Sequence, residues 1–526
     1  SGTNSGALIR LNGADFVTID GSIGSTINSV CPPSAATRDM GILNNNTGTS
    51  SAVVWLQNAG VDGATNNVIK NCNIAGNAPG TTLFGIGSGS STISTTSLGN
   101  GNNNNAFENN AIGNLQYGIY SQGASAGAKN TGNIINQNAM VTPAPNNVSK
   151  GGILVGFENN ITITGNSISE IAQASSPDVF GISMGFIATQ STTTTAGNDV
   201  TNATVTNNVI GSVINSGTFS AAGISLASAT SGTTLIANNM VYGVAANGTG
   251  GDFAAGILLG GGSATVNVLH NTVSMQGTIT GGTAASQVSA CLAITAATAP
   301  TNLTLRNNIF SNTQVGNASA TVRLVAIGYQ FAGPFASVSS NYNDLFSAGA
   351  GPGTYFIGTT AGLAAGTTAL TLANWQTATS GDANSINIAP SFAAINNLHL
   401  PSAANGGLND LGTAAPSVTT DIDCATRSLT TPDMGADEFS VDAPLITYTP
   451  LAFSCSTGDR VFTATITDVE GVPTTGILQP RVYFRKNANA YVSTQGVLSS
   501  GSATNGTWTF TISAAAMGGI VGGDVI

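Results

Sequence analysis

The sequence predicts an all-β solenoid, and two repeated patterns carry that prediction. The first is a six-residue pattern, Φ-x-x-N-x-Φ, in which Φ is a large apolar residue. It first occurs over residues 69–74, where Cys72 takes the asparagine position. The pattern asparagine then recurs at Asn110, Asn138, Asn166, Asn208, Asn239, Asn271 and Asn308, and a degenerate copy that begins at Val338 carries Asn341. Spacings of roughly 30–40 residues indicate a solenoid or an array.

We interpret this pattern as a bend between two short strands whose apolar residues both point inward. An asparagine between them tolerates the left-handed backbone that a tight corner needs. Coils stacked at the strand spacing of ~4.8 Å would place each asparagine above the next, so that their amides hydrogen-bond along the stack. The seven asparagines from Asn110 to Asn308 are therefore predicted to form one structural ladder.

The second pattern is Gly-Ile followed by alternating residues, which is typical of a half-buried strand. It begins at Gly118, Gly152, Gly181, Gly223 and Gly256. Three short strands per coil, with no helical periodicity, predict a right-handed parallel β-helix. Residues 8–345 resemble the parallel β-helix repeat family, and we expect the coils to fill residues 1–345. The resemblance implies a fold and says little about function.

Composition narrows the functional classes. Only 7% of residues are charged and the net charge is −11, which argues against a nucleic-acid partner. The sequence contains no apolar run of about 20 residues, so it predicts no membrane-spanning helix. The abundance of Thr, Ser and Asn with few Lys predicts an extracellular protein. Because the chain starts and stops within strand-like sequence, we expect it to be a piece of a longer protein.

Residues 346–440, the closing segment, no longer repeat. They contain Trp375-Gln376, a D-x-N-S-I motif over 382–386, Leu398-His399-Leu400 and a D-x-G-A-x-E motif over 433–438. The series resembles the end of secreted bacterial β-helix proteins, although Cys424 stands where that family usually has glycine. The resemblance implies a cap over the last coil, which would otherwise expose apolar surface and unpaired strand edges.

The closing segment also holds a dense charge cluster, defined here as the ion cluster: Arg427, Asp421, Asp423, Asp433, Asp437 and Glu438. We favour an Arg427–carboxylate lock over the alternative, a Ca²⁺ site built from the carboxylates. No other cofactor is expected. Cys72 and Cys291 are predicted to be free buried thiols, whereas the pairing of Cys31, Cys424 and Cys455 stays open.

Residues 441–526 contain alternating strands at the spacing of a β-sandwich. They resemble an immunoglobulin-like module of the kind found along bacterial surface proteins. Their length is shorter than that of a complete sandwich, so we expect an incomplete one.

Candidate chemical groups are few. Glu158, Glu170 and Asp178 fit no paired-carboxylate spacing, and His270 and His399 are isolated histidines. Lys70 and Glu108 occupy equivalent pattern positions and should form an ion pair across adjacent coils. Tyr120 and, less clearly, Trp55 are weak candidates for stacking on sugar rings.

These observations predict a non-catalytic segment of a large secreted cell-surface protein, acting as an elongated stalk or an adhesin. The chain is similar to the repeat-rich surface proteins exported by the bacterial type IX route. Its expected partners are surface glycans, other surface proteins and further domains of the same chain. The alternatives are a carbohydrate-active lyase or hydrolase, with loops 88–104 and 188–202 forming the walls of a cleft, and a structural filament or sheath subunit.

Overall fold

A computed structural model gives the fold of the chain in two compact units, Ser1–Phe439 and Ser440–Ile526. The closing segment up to Phe439 therefore belongs to the same unit as the coils. The structure describes residues 1–24, 36–174, 177–186, 197–247, 254–279, 288–316, 322–351, 353–440, 444–468, 471–476 and 478–526.

The first unit is a parallel β-helix solenoid made of three long sheets, as the sequence predicts. Sheet 1 contains Ala7–Asn12, Ala52–Gln57, Phe84–Gly89, Leu115–Gln122, Val148–Gly156, Val179–Met184, Ala221–Leu226, Ala254–Leu259, Val288–Ile294, Arg323–Tyr329, Thr354–Thr360 and the antiparallel Thr367–Ala369. Sheet 2 contains Thr18–Asp20, Val68–Lys70, Ala106–Glu108, Ile134–Asn136, Thr162–Thr164, Thr204–Thr206, Thr233–Ala237, Thr265–Leu269, Asn302–Arg306 and Val338–Asn341. Sheet 3 contains Met40–Leu43, Cys72–Ala75, Ala111–Gly113, Ala139–Met140, Ser167–Ile168, Val209–Gly211, Met240–Tyr242, Thr272–Met275, Ile309–Asn312 and Asp344–Ser347.

Short pairs and helices complete this unit. Asn130–Thr131 pairs with Glu158–Asn159, and a small sheet joins Ile171–Gln173, Val213–Asn215 and Ala245–Ala246. The helices are Leu372–Thr379 and Ser402–Asn405.

The six-residue pattern forms the corner between sheets 2 and 3. Its first apolar residue lies in sheet 2 and its last in sheet 3, and both align with their counterparts in neighbouring coils, as Ile135 does with Ile163. We expected the pattern asparagine to be the left-handed residue of the corner, but that residue is the one before it. Its φ is 46° at Asn109, 56° at Asn207 and 51° at His270. The pattern asparagine is thereby turned inward, where its amide can hydrogen-bond to the asparagines of the neighbouring coils.

The Gly-Ile pattern lies in sheet 1 because the glycine faces the aliphatic column of sheet 3. A Cβ added to Gly152 would lie 2.7 Å from Cγ2 of Ile168 and 2.6 Å from the carbonyl oxygen of Gly181 in the next coil. Real Cβ atoms do not approach that closely, so any larger residue would push sheets 1 and 3 apart. The following isoleucines, such as Ile153 and Ile182, align in register in the core.

The closing segment covers the end of the solenoid, as the resemblance implied. Trp375, on the helix Leu372–Thr379, is fully buried in the core cluster, with its ring 5.1 Å from that of Tyr329. Its indole nitrogen donates to Asp382 at 2.9 Å. Buried aromatic area of this size is a main source of stability where a solenoid ends.

Beyond the end cover, the chain returns along the flank of the solenoid. Leu400 and Met434 pack against Ile309, while Leu398 and Ala436 pack against Met240. The second half of the closing segment is therefore a clamp on the corner between sheets 2 and 3 rather than part of the end cover. We call residues 398–439 the flank clamp.

The second unit is an antiparallel β module. A four-stranded sheet has the order Leu445–Tyr448, Arg460–Thr467, Asn505–Ile512, Val497–Gly501, and Arg481–Phe484 pairs with Val492–Gln495. A short 3-10 helix follows at Ala515–Met517. Trp508, Phe510, Ala464 and Ile466 form its core.

Candidate functional site

The pattern asparagines form an unbroken column of hydrogen bonds inside the corner, which we call the inner column. The Nδ2 of Asn138 donates to Oδ1 of Asn166 at 3.0 Å and to the carbonyl oxygen of Phe107 at 2.8 Å. The same Oδ1 accepts the backbone N–H of Asn138 at 2.9 Å. The arrangement repeats through Asn110, Asn138, Asn166, Asn208, Asn239, Asn271 and Asn308, all of them fully buried.

The inner column ends on residues of the closing segment. Asn308 donates to Asn343 at 3.0 Å, so the degenerate copy places Asn343 in the column and not Asn341, two residues earlier. Asn343 in turn donates to Asp382, and its backbone N–H donates to the hydroxyl of Ser385. The D-x-N-S-I motif thus satisfies the last amide of the column.

A second column runs just outside the first and uses the left-handed residues. We call Asn207, Asn238, His270 and Asn307 the outer column. Asn207 and Asn238 donate to the carbonyl oxygens of Asp421 and Thr420, at 2.9 and 2.6 Å. His270 and Asn307 bind the carbonyl oxygens of Asp433 and Thr413, at 3.1 and 2.7 Å. The flank clamp is therefore bound to the solenoid through the side chains of the outer column.

A shorter asparagine column, which we did not predict from the sequence, lies at the corner where the chain enters sheet 2. Asn67 donates to Asn105 at 3.0 Å, and the backbone N–H of Asn105 donates to Asn133 at 2.9 Å. Its signal was present as an extended pattern, N-x-Φ-x-x-N-x-Φ, over residues 105–112 and 133–140, and over 67–74 with Cys72 in place of the second asparagine. The column stops at Glu158, whose Oε2 accepts from Asn133 at 3.0 Å.

Glu158 is fully buried, and its carboxylate oxygens accept from three side chains. Its Oε1 accepts from Ser121 at 2.6 Å and from Asn130 at 3.3 Å. Burial raises the pKa of Glu158 to about 7, although the three side-chain hydrogen bonds oppose that rise. A carboxylate that is enclosed in this way has no path to a substrate.

The rings proposed to stack on sugars are not accessible, so that expectation is wrong. Trp55 and Tyr120 are fully buried and stack on each other with centroids 5.9 Å apart. They do point away from the solenoid core, as the alternation suggested for Tyr120, but loop 88–104 covers them. The Trp55 indole donates to the carbonyl oxygen of Ser90, and the Tyr120 hydroxyl donates to that of Ser97.

Loop 88–104 therefore covers the outer face of sheet 1 instead of forming the wall of a cleft. Its Ile93 joins the aromatic cluster, and Asn102 donates back to the carbonyl oxygen of Gly89. Of the second loop, residues 188–196 lie outside the described residues. Asp199, near its end, forms an ion pair with Lys129 at 3.2 Å.

The ion cluster contains the direct Arg427–carboxylate bond that we favoured. Arg427 is buried and donates to Glu438 at 2.9 Å, to Asn238 of the outer column at 3.0 Å and to the carbonyl oxygen of Gly435 at 2.9 Å. Burial lowers the pKa of Arg427, and the charge of Glu438 opposes that change. Arg427 thus joins the flank clamp to the solenoid.

The carboxylates around Arg427 are held by backbone N–H groups. Asp421 accepts from Asp423, Ala425 and Glu438. Asp433 accepts from Asp410 and Phe439 at 2.6 and 2.8 Å, and burial raises its pKa to about 7. Their oxygens point to protein donors, an arrangement that does not resemble the converging oxygen shell of a Ca²⁺ site.

The remaining candidates have separate structural positions. Lys70 aligns with Glu108 on the next strand, but its ion pair within 4 Å is with Asp20, at 3.3 Å. Asp178 accepts the backbone N–H of Ser220, and Glu170 occupies a left-handed corner with φ 60°. Glu158, Glu170 and Asp178 therefore lie in separate contacts and do not form a carboxylate pair.

The cysteines fall into two groups. Cys72 and Cys291 are free and buried, as predicted, and Cys455 is free and exposed. Cys424 is disulfide-bonded. Cys31 lies outside the described residues.

The second unit has an apolar groove of about 850 Å³ between its sheets. Tyr448, Phe462, Val482 and Phe510 contribute to its walls, and Phe453 at its rim is 95% exposed. The unit pairs a four-stranded antiparallel sheet with a two-stranded one, and the incomplete immunoglobulin-like sandwich stays a prediction.

Comparisons with known proteins do not assign the chain to a family. No protein-family model matches it, and no curated protein matches it either. Among the residues that the structure describes, no helix is long and apolar enough to cross a membrane.

Proposed function

We propose that this chain is a non-catalytic segment of a large secreted cell-surface protein, in which the solenoid acts as a stalk or as the scaffold of an adhesin. The observation that carries the proposal is the way the described polar side chains are used. The inner column, Glu158 and Arg427 each bond to neighbouring parts of the scaffold and not to an open cleft.

The solenoid also suits a spacer. The ten strands of sheet 2, at a spacing of ~4.8 Å, correspond to a rise of about 45 Å along the coil axis. The coils are joined by three sheets and, from Asn110 to Asn343, by the inner column as well, so that a load along the stack is shared by many hydrogen bonds. Such repeat structures gain length without needing a larger core.

The same proposal includes secretion to the cell surface by the bacterial type IX route, because the sequence resembles surface proteins that are exported by that route. The disulfide at Cys424 supports an oxidising compartment, because disulfides persist outside the reducing cytosol. Low charge with abundant Thr, Ser and Asn fits an extracellular surface. The class of partner follows from this setting: surface glycans or other surface proteins.

The test combines a binding assay with an assay for bond cleavage. Beads that carry the purified chain are passed under flow over glycan arrays and over cells, while the chain in solution is incubated with neutral and uronic-acid polysaccharides. We expect attachment or inert spacing, with no new reducing ends and no unsaturated sugar products. Polysaccharide cleavage by the purified chain would contradict the proposal and favour the enzyme. Concentration-dependent assembly into long polymers would favour the filament.

A further inference from the structure

Three motifs of the closing segment that the proposed function does not use meet at one point of the flank clamp. His399 comes from the L-H-L motif, Asp423 from the D-I-D sequence and Asp437 from the D-x-G-A-x-E motif. One donor atom from each residue, a histidine nitrogen and two carboxylate oxygens, lies within 4.8 Å of the other two. The arrangement brings together three positions that are far apart in the chain.

The contacts of Asn397 indicate which ring nitrogen of His399 carries the hydrogen in the neutral ring. The Oδ1 of Asn397 accepts the backbone N–H of His399 at 3.2 Å, which identifies that atom as the amide oxygen. The same oxygen contacts Nδ1 of His399, so Nδ1 must carry the hydrogen. In the neutral ring Nε2 then presents a lone pair. A histidine whose second nitrogen is held by an oxygen acceptor is the usual arrangement in metal sites.

The Nε2 atom has no hydrogen-bond partner, although it is buried. Oδ2 of Asp423 lies 2.8 Å from Nε2, within ion-pair distance, but the contact lacks hydrogen-bond geometry. The third donor, Asp437, is held by the backbone N–H of Leu400 at 2.7 Å. Three electron-pair donors therefore converge, and one of them, Nε2 of His399, has no hydrogen-bond partner among the described residues.

We propose that His399, Asp423 and Asp437 form a binding site for a first-row transition-metal dication of the zinc type, which fastens the three stretches of the flank clamp together. One imidazole and two carboxylates balance the charge of a divalent ion. An imidazole ligand favours Zn²⁺ and its neighbours over Ca²⁺ and Mg²⁺, which prefer shells of oxygen alone. Three protein ligands with a free fourth position fit the tetrahedral preference of zinc.

Exposure provides an entry path and separates this site from the Arg427 lock. The side chains of His399 and Asp423 are 35% and 62% exposed, whereas Asp437 is buried beneath them. Arg427 is directed to Glu438 and Asn238 and takes no part in the site. The only other histidine of the chain, His270, is buried with both ring nitrogens in contact with protein atoms.

The test is a titration of the chelator-treated, dialysed full chain with zinc chloride, followed by calorimetry and by thermal melting. We expect one equivalent of zinc to bind and to raise the melting temperature, with no comparable effect of calcium chloride. His399→Gln and Asp437→Asn should weaken zinc binding by at least about 100-fold, and Asn397→Ala, which removes only the support of the ring, by about 10–100-fold. Asp62→Asn, which removes the same charge from an exposed loop far from the site in sequence, is the matched control and should bind zinc normally.

Cobalt provides a readout that does not depend on the folding of the variants. Co²⁺ bound to the unmutated chain through one nitrogen and carboxylate oxygens should give a visible absorption band that zinc abolishes by displacement. Failure of the unmutated chain to bind zinc or cobalt would overturn the proposal. Zinc binding that is equally tight in His399→Gln, with circular dichroism showing a folded chain, would overturn it as well.

Discussion

The inner and outer columns of the same corner consist of adjacent residues but differ in what they bind. The side chain of Asn239 lies in the inner column and bonds to groups of the neighbouring coils. Asn238, one residue earlier and left-handed with φ 53°, bonds to Thr420 and Arg427 of the flank clamp. One residue of the pattern holds the coils together, and its neighbour holds a distant segment to the coils.

The difference shows how a tight corner can serve two purposes. The left-handed residue turns the chain, so that its own side chain points outward and the next one points inward. The inward amide loses all water and must find every partner within the stack. The outward amide would remain at the surface unless another segment covered it. The flank clamp does so: Asn238, His270 and Asn307 are buried beneath it, and Asn207 is partly buried.

The largest effect is expected from Asn239→Ala, in the middle of the inner column. The change removes the acceptor of the Asn208 backbone N–H and one acceptor of the Asn208 Nδ2. It also removes the amide that donates to the carbonyl oxygen of Val205 and to Oδ1 of Asn271, and unsatisfied buried groups cost about 1–3 kcal/mol each. We expect the free energy of unfolding to fall by ~4 kcal/mol, measured by chemical denaturation. Asn396→Ala, at an exposed asparagine of the closing segment, is the control. A loss below ~1 kcal/mol would show that the column contributes little.

The next effect in size is expected from Arg427→Ala. Glu438 would keep its two backbone donors but lose its only described ion-pair partner while its side chain is 14% exposed. Stranding a largely buried carboxylate in this way should lower the stability by ~3 kcal/mol. The exposed Arg481→Ala is the matched control, and equal losses for the two variants in the same denaturation assay would refute the lock.

A pH effect of intermediate size is expected at Glu158. Its pKa is raised from an ordinary value of 4.5 to about 7, so the folded chain binds this proton more tightly than the unfolded chain does. Stability should therefore fall as the pH rises from about 4.5 to about 7 and level off above, by ~2–3 kcal/mol.

The measurement is the stability difference between the unmutated chain and Glu158→Gln across that pH range. Asp433, whose pKa is also raised to about 7, contributes a similar slope to both proteins and cancels in the difference. Because the substitution places an amide group opposite the amide of Asn133, the variant should be less stable at low pH yet lose less stability on the way to pH 7. Parallel curves for the two proteins would contradict the role of Glu158.

The smallest effect is expected from Lys70→Met. The substitution removes the ion pair between Lys70 and Asp20, whose side chain is 30% exposed. It also removes a positive charge near Glu108. Partly exposed pairs contribute ~0–1 kcal/mol, so the melting temperature should hardly change. A loss as large as that of Arg427→Ala would indicate a tightly coupled charge group at the first coils.

The sequence was most informative where a contact repeats from coil to coil. The inner column and the Gly-Ile strands could be predicted because each residue meets its own equivalent in the next coil. The outer column could not, since Asn207 and Asn238 bond to residues 214 and 182 positions away. Alternation placed Tyr120 on the outer face of its strand but contained nothing about loop 88–104, which covers it.

The most direct test of the two-column account is amide hydrogen exchange of Asn238→Gly beside Asn239→Ala. Glycine keeps the left-handed corner and removes only the outer side chain. The account predicts that Asn238→Gly accelerates exchange within the flank clamp while the solenoid strands stay protected, and that Asn239→Ala accelerates exchange in the strands on either side of its coil. If Asn238→Gly loosened the solenoid strands as much as Asn239→Ala did, or left the flank clamp fully protected, the division between the two columns would be wrong.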